Sequence, residues 1–386
     1  MIKVLLEQQL IPPYRIPFFF GLSKKVDLTI LTSDNISISG VTDVKENLPF
    51  TTIRAKEKNI NGGYPLHENL INLIKNHGFK VYISNSEFLS TYGTDSSLRN
   101  KLIDTGCIII WWGCDGYNNR NFFLAKLSKT WVYKLPKRSR WPYLFSDPEK
   151  TAIRLTDGFL AYSSYTSEYW QKIFNVPPQK ISIAHNAVDV TNLCQETDLL
   201  INKGIKKTPQ SILFVGRMTP GKHLDILIRA FKIIKSRYPS ASLNLVGDGP
   251  VKPDIELLSK ELKLSDVFFH QETWDPNELA RIMRSSSLFV MPGLGGLGLN
   301  SAMACGLPIV CTQADGTELD LVQEGRNGWF FQNGNYHDLA CVIMKVITED
   351  GVLVCAGKES RRLIDTKFNL EAMINTFVQR INAIHQ

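Results

Sequence analysis

The chain has 386 residues, 44% hydrophobic and 21% charged, which is ordinary globular usage and more chain than one core needs. A formal net charge of +7 permits binding to phosphates or an acidic membrane surface and does not demand nucleic acid. Seven cysteines (Cys107, Cys114, Cys194, Cys305, Cys311, Cys341, Cys355) contain no Cys-x-x-Cys pair, so neither a zinc site nor a disulfide framework is expected.

The opening run Met1-Ile-Lys-Val-Leu-Leu-Glu7 is too short for a signal peptide and reads as a first strand. No run is long enough for a membrane helix, and a cytoplasmic location is expected. Further strands are predicted over 27–32, 80–84, 107–112, 158–163 and 180–185, then over 211–215, 242–246, 287–291 and 308–312. Several are continuously apolar, such as Ile-Leu-Phe-Val and Leu-Phe-Val-Met, which suits parallel strands covered on both faces. Between them lie amphipathic helices. Over 224–238, Leu224, Leu227, Ile228, Phe231, Ile234 and Tyr238 share one face, while Asp225, Arg229, Lys232 and Ser236 share the other.

This alternation predicts an α/β protein of doubly wound domains. The polar, turn-rich stretch 195–209 sets the expected division. It gives an N-terminal domain over 1–205, a C-terminal domain over 206–365, and a last helix over 366–386 that can pack on either domain, with the first as the expected one.

Three features of the second half point to a phosphorylated ligand. The first is Val215-Gly216-Arg217, with Lys222 opening the following helix beside a turn glycine. A helix start, a guanidinium fork and a lysine charge make a natural diphosphate cradle, although two solvated cations on a loop fit the spacing as well. The second is Gly247-Asp248-Gly249-Pro250 after a strand, which alone is more often a tight turn. The third is the glycine-rich loop Met291-Pro-Gly-Leu-Gly-Gly-Leu-Gly298, which lets backbone N–H groups approach an oxyanion closely.

Together with Ala302-Met-Ala-Cys-Gly306-Leu-Pro308 and Glu324-Gly-Arg-Asn-Gly328, these stretches resemble the donor domain of a family 4 glycosyltransferase of GT-B architecture. The first half matches more loosely, through Tyr14-Arg-Ile-Pro17, Asp157-Gly-Phe159 and His185-Asn-Ala-Val-Asp189. The resemblance implies two Rossmann-like domains facing across a cleft. It implies a retaining transfer of sugar from a nucleotide-sugar donor, with no metal and no separate cofactor. It assigns stabilisation of the departing diphosphate to Arg217 and Lys222. Donor binding falls on Gly216, Gly249, Gly293, Gly295, Gly296, Leu297, Ser301 and Glu318.

The chain departs from the family pattern at two positions where glutamates are usual, Gly293 and Ser301. Ser301 has a hydroxyl to offer a ribose. Glu318 or Asp320 is the expected replacement carboxylate, unless both merely cap a helix start.

On the acceptor side the usual histidine is missing. Asp115, in Trp112-Gly-Cys-Asp115-Gly, is the candidate base, ahead of Cys114, and a turn aspartate fits the same residues. Residues 116–146 hold Arg120, Lys126, Lys129, Lys134, Lys137, Arg138 and Arg140 among aromatics. That composition suits an anionic membrane face or a lipid-linked acceptor, and places the protein on the inner face of a membrane. The expected partners are therefore a UDP-, GDP- or similar sugar nucleotide and a glycan or lipid-linked acceptor, with no nucleic acid. The expected setting is bacterial polysaccharide or lipopolysaccharide assembly. The alternatives are a non-catalytic nucleotide-sugar-binding protein and a nucleotide-sugar epimerase.

Overall fold

The structure is a computed structural model that describes residues 1–37, 41–60, 64–113, 148–273 and 275–385. Cys114, Asp115 and the basic stretch 116–146 lie outside the described residues. The chain divides into two compact units: Met1–His185 with Leu370–Gln386, and Asn186–Asn369.

The first unit thus ends at His185, ahead of the expected boundary after 205. The first part of the stretch 195–209 belongs to the helix Thr191–Asn202, which buries Leu193 and Thr197. Its polar residues Gln195 and Asp198 form the solvent face. Arg361 of the second unit holds Asp198 at 3.1 Å. The helix Leu370–His385 belongs to the first unit.

The first unit contains the strands β1 (Lys3–Glu7), β2 (Asp27–Ser33), β3 (Thr51–Ala55), β4 (Glu57–Ile60), β5 (Tyr64–His67), β6 (Val81–Ser84), β7 (Ile108–Gly113), β8 (Gly158–Ala161) and β9 (Ile181–Ile183). Seven of them make one sheet in the order β3-β2-β1-β6-β7-β8-β9, while β4 and β5 form a separate hairpin. The second unit contains β10 (Ser211–Val215), β11 (Ser242–Val246), β12 (Val267–His270), β13 (Leu288–Met291), β14 (Ile309–Cys311) and β15 (Gly328–Phe330). Their order is β12-β11-β10-β13-β14-β15, with every pairing parallel.

Both sheets therefore grow outward from their first strand and then cross back to its other side. In each, the crossover opens a crevice at the carboxyl ends of two neighbouring strands, where ligands of doubly wound sheets bind. These ends are Glu7 and Ser84 in the first unit, and Val215 and Met291 in the second.

Each strand expected from the sequence is present, with ends shifted by a few residues at most. The hairpin, β3, β12 and β15 carry weaker signals. The last two are a four-residue and a three-residue strand at the sheet's edges. In the second unit the buried Leu213, Phe214 and Phe289 pack with Phe231, Ile234 and Met303. Truncating a fully buried ring such as Phe231 to alanine costs about 3–5 kcal/mol.

In the first unit Trp111, Phe159 and Trp170 pack as one aromatic group, with ring centres 5.2 to 5.9 Å apart. The last helix closes this unit. Phe377 meets Phe18 at 4.9 Å, and Arg380 donates to Ser182 Oγ and to the Gln179 carbonyl at 3.0 and 2.9 Å. No helix among the described residues is long and apolar enough to cross a membrane.

Candidate functional site

The second unit gathers three loops at its crossover. The first leaves β10 and runs through Gly216, Arg217 and Met218. It is held by the loop after β11, where the Met218 N–H donates to the Asp248 carbonyl at 2.7 Å. Gly249 has φ of 152°, and a Cβ there would press on the Met218 backbone nitrogen at 2.8 Å. Backbone lies on backbone here, so only glycine fits.

After Met218 the chain makes a tight turn over Pro220–Lys222. His223 then adopts a left-handed conformation with φ of 50° before the helix Leu224–Arg237 begins. Lys222 therefore ends the turn and does not open the helix, a correction to the sequence reading. The turn carries its side chain back to the loop after β13.

That loop, Gly293 to Leu297, packs on the same turn. The Leu294 N–H donates to the Gly221 carbonyl at 2.8 Å. A Cβ on Gly293 would lie 2.8 Å from the Lys222 carbonyl carbon and 2.9 Å from the His223 ring. The family's first carboxylate therefore has no room at this position while the turn runs where it does.

Lys222 Nζ donates to the Leu294 carbonyl at 2.5 Å and to the Gly295 carbonyl, and it lies 3.5 Å from a Cβ built on Gly296. Burial lowers its pKa to about 8; Asp315 opposes that shift and the positive charge of Arg217 adds to it. Arg217 itself is exposed. Two cations thus share one electrostatic neighbourhood at the crossover, and one of them is already poorly solvated.

Asp315 belongs to the third loop, after β14. Its Oδ1 accepts the Thr317 N–H at 3.0 Å and the Thr317 hydroxyl at 2.5 Å. A Cβ on Gly295 would meet Thr317 Oγ1 at 3.5 Å and Asp315 Oδ2 at 3.8 Å, so the two loops run side by side. Glu318 begins the short helix Glu318–Leu321 and is 1% exposed. Its carboxyl accepts the N–H groups of Ala314 at 2.6 Å and Gly316 at 3.1 Å. Burial and the charge of Asp315 raise its pKa to about 7. Glu318 is thus turned toward the backbone of its own loop. Ser301 sits half-buried on the helix Gly298–Ala304, and Leu297 lies half-buried just before it. No group of three His, Cys, Asp or Glu side chains among the described residues is placed to hold a metal ion.

The first unit has a polar cluster at its own crossover that sequence reasoning missed. Glu7, at the end of β1, accepts hydrogen bonds from Tyr82 at 2.5 Å and from Ser84. His67 Nε2 lies 3.2 Å from Glu7 Oε1, and both side chains are fully buried. Burial pushes Glu7 up to about 8, against the two hydroxyl donors and with the repulsion of Glu57. Burial also lowers His67 to about 4. The contact at neutral pH is therefore one between a protonated acid and a neutral imidazole, not an ion pair. These residues stand far apart in the chain, and the only signal was a glutamate ending an otherwise apolar strand.

Two doubly wound units of this strand order are the GT-B architecture. Solved structures agree. A crystal structure of Anabaena HepE in complex with UDP and glucose covers 99% of this chain and 100% of its own, with a TM-score of 0.69 at 14% identity. Residues 196–367, within the second unit, match the family "Glycosyl transferases group 1". An uncharacterized glycosyltransferase of Haemophilus influenzae is 26% identical over 227 residues, 58% of this chain and 60% of the relative. The amylovoran biosynthesis glycosyltransferase AmsK of Erwinia amylovora is 22% identical over 294 residues, 73% of this chain and 66% of the relative. The matched stretches span about two thirds or less of these relatives.

Proposed function

We propose that this chain is a retaining glycosyltransferase. It moves a sugar from a nucleoside-diphosphate donor of the UDP or GDP type, held by the second unit, to a glycan or lipid-linked acceptor held by the first. The setting is bacterial surface polysaccharide or lipopolysaccharide assembly. The observation that carries this reading is the pairing of Arg217 and Lys222 at the crossover of a Rossmann-ordered sheet, close enough for one charge to depress the proton affinity of the other. HepE bound to UDP and glucose, and a relative named for amylovoran biosynthesis, support it.

In the reaction the bond from the sugar's anomeric carbon to the diphosphate oxygen breaks, and a bond to the acceptor hydroxyl oxygen forms on the same face. Negative charge grows on the leaving diphosphate. Two fixed cations bind that charge more strongly than they bind the intact donor, which lowers the barrier. Gly216, Gly249, Gly293, Gly295 and Gly296 keep the backbone near the phosphates free of side chains. Leu297 and Ser301 line the nucleotide side, and Glu318 acts by fixing the 314–316 loop. Asp115 takes the acceptor proton. The basic stretch 116–146 meets the membrane face. Beside it in sequence, Lys150 and Arg154 border a hollow of about 320 Å³ with Ile173, which is 51% exposed.

A thermal-shift screen over UDP-, GDP-, ADP- and dTDP-sugars tests this, because a ligand of the native state raises Tm by mass action. One sugar nucleotide should raise Tm and be slowly hydrolysed to free nucleotide. No rise with any of them overturns the donor site. Tight binding without turnover, even with lipid-linked acceptors, makes the chain a binding protein instead.

A further inference from the structure

The motif Tyr14-Arg15-Ile16-Pro17 takes no part in the chemistry above, yet the structure gives Arg15 an unusual setting. Arg15 follows β1 at the carboxyl edge of the first sheet and is only 6% exposed. Its Cζ lies 5.1 Å from the centre of the Trp112 ring and 5.6 Å from that of Tyr14. Among the described residues, the one hydrogen bond its guanidinium makes is a long one of 3.5 Å, donated from Nη2 to the Tyr162 hydroxyl. Nη1 is buried with no partner, and no carboxylate pairs with Arg15 among the described residues.

Arg380, in the same unit, shows what a structural buried guanidinium looks like: it donates to Ser182 and to a backbone carbonyl at ordinary distances. An unpaired buried charge is costly, and among the described residues Arg15 has only the faces of Trp112 and Tyr14 and the long Tyr162 contact to offset it. The Trp112 indole N–H, in the same contact group, is also buried without a partner. Arginine and indole nitrogens only donate, and the Tyr162 hydroxyl at 3.5 Å is too little acceptor for both. A ligand rich in acceptor oxygens and negatively charged supplies what is missing.

We propose that Arg15, with Trp112, forms a binding site for a phosphoryl oxyanion in the first unit. The Tyr162 contact is weak enough to be given up when the anion binds. The site rests only on the first unit and does not depend on the donor reading. If that reading also holds, the anion belongs to the acceptor.

The test uses the full chain carrying Arg217→Ala and Lys222→Ala, so that the second unit does not take the probe. Inorganic pyrophosphate should raise its Tm and saturate. Adding Arg15→Gln should weaken that binding roughly 10- to 100-fold, the loss expected for a charge-assisted hydrogen bond. The same change should leave the ligand-free Tm no lower, since it removes a poorly compensated charge. A structural arginine would instead lower it. If Arg15→Gln fails to fold, Trp112→Phe keeps the ring, removes the N–H, and should still weaken pyrophosphate binding. Flotation of the same chain on phosphatidylglycerol vesicles, set against phosphatidylcholine vesicles, separates the sources. Arg15-dependent flotation makes the anion a lipid headgroup, and a pyrophosphate response alone makes it a soluble phosphate ester. No pyrophosphate response in the parent, a response that Arg15→Gln leaves intact, or a response to glucuronate alone overturns the proposal.

Discussion

The two crossover edges repeat one strand order and are finished in opposite materials. In the second unit the edge is backbone: glycine loops lie against one another, and the Lys222 side chain reaches onto them. In the first unit the edge is buried side chain, with Glu7, His67, Tyr82 and Ser84 in mutual contact. A backbone edge presents fixed N–H groups and admits phosphates closely. A side-chain edge stores titratable groups whose protonation the fold controls. The same topology therefore supplies one site that is set by sterics and one that is set by proton affinity.

The largest expected effect breaks the steric half. Gly293→Glu restores the family's carboxylate in sequence but drives a Cβ into the Gly221–His223 turn. It should destabilise the second unit by about 3 kcal/mol or more and abolish donor binding. Urea denaturation followed by Trp fluorescence measures it, and a stable variant would contradict the packing described.

Next come the cations. Arg217→Ala and Lys222→Ala should each cost roughly 2–4 kcal/mol of transition-state stabilisation, read as kcat/KM for donor hydrolysis or transfer. Near-normal turnover in both would remove them from the mechanism. Lys222 also predicts a pH dependence. With its amine titrating at about 8, donor affinity should fall above that pH by up to about tenfold per unit, because binding must then take up a proton.

The side-chain edge is sharpened by pH. Glu7 is raised from 4.5 to about 8 in the folded chain, so the native state holds a proton that the unfolded state has lost. Stability should therefore fall as pH rises across that window, with a slope of at most about 1.4 kcal/mol per pH unit. Glu318 acts in the same direction up to about 7, while the lowered His67 acts oppositely between about 4 and 6.5. Glu7→Gln should flatten the decline between pH 7 and 8, where Glu7 acts without these two. The smallest effect belongs to Thr312, buried after β14 with a hydroxyl that has no partner. Thr312→Val should change stability by about 0.5 kcal/mol or less, or raise it.

Much of this was legible in the sequence wherever the signal is local. Runs such as Ile-Leu-Phe-Val announce covered strands, and glycines after a strand announce close backbone approach. Lys222, five positions after Arg217, meets the glycine loop after β13. What escaped was set by contacts between distant segments. The stretch 195–209 looked like a boundary because exposed polar residues dominate it, although residues 195–202 continue a helix on which Leu193 and Thr197 stand one turn apart. Glu7 and His67 are sixty residues apart and acquire their chemistry only when β1 and β5 are brought together. The inward turn of Glu318 depends on where the 314–316 N–H groups point, which no spacing records.

An ammonium group carries three hydrogens, and Lys222 gives two of them to the carbonyls of Leu294 and Gly295. The third points at the Met291 sulfur 4.0 Å away, a weak acceptor that can yield to an incoming oxyanion without releasing either carbonyl. The glycine loop is thus stapled in place before any ligand arrives. The entropy of arranging it is lost once, during folding, and is not charged again to each binding event.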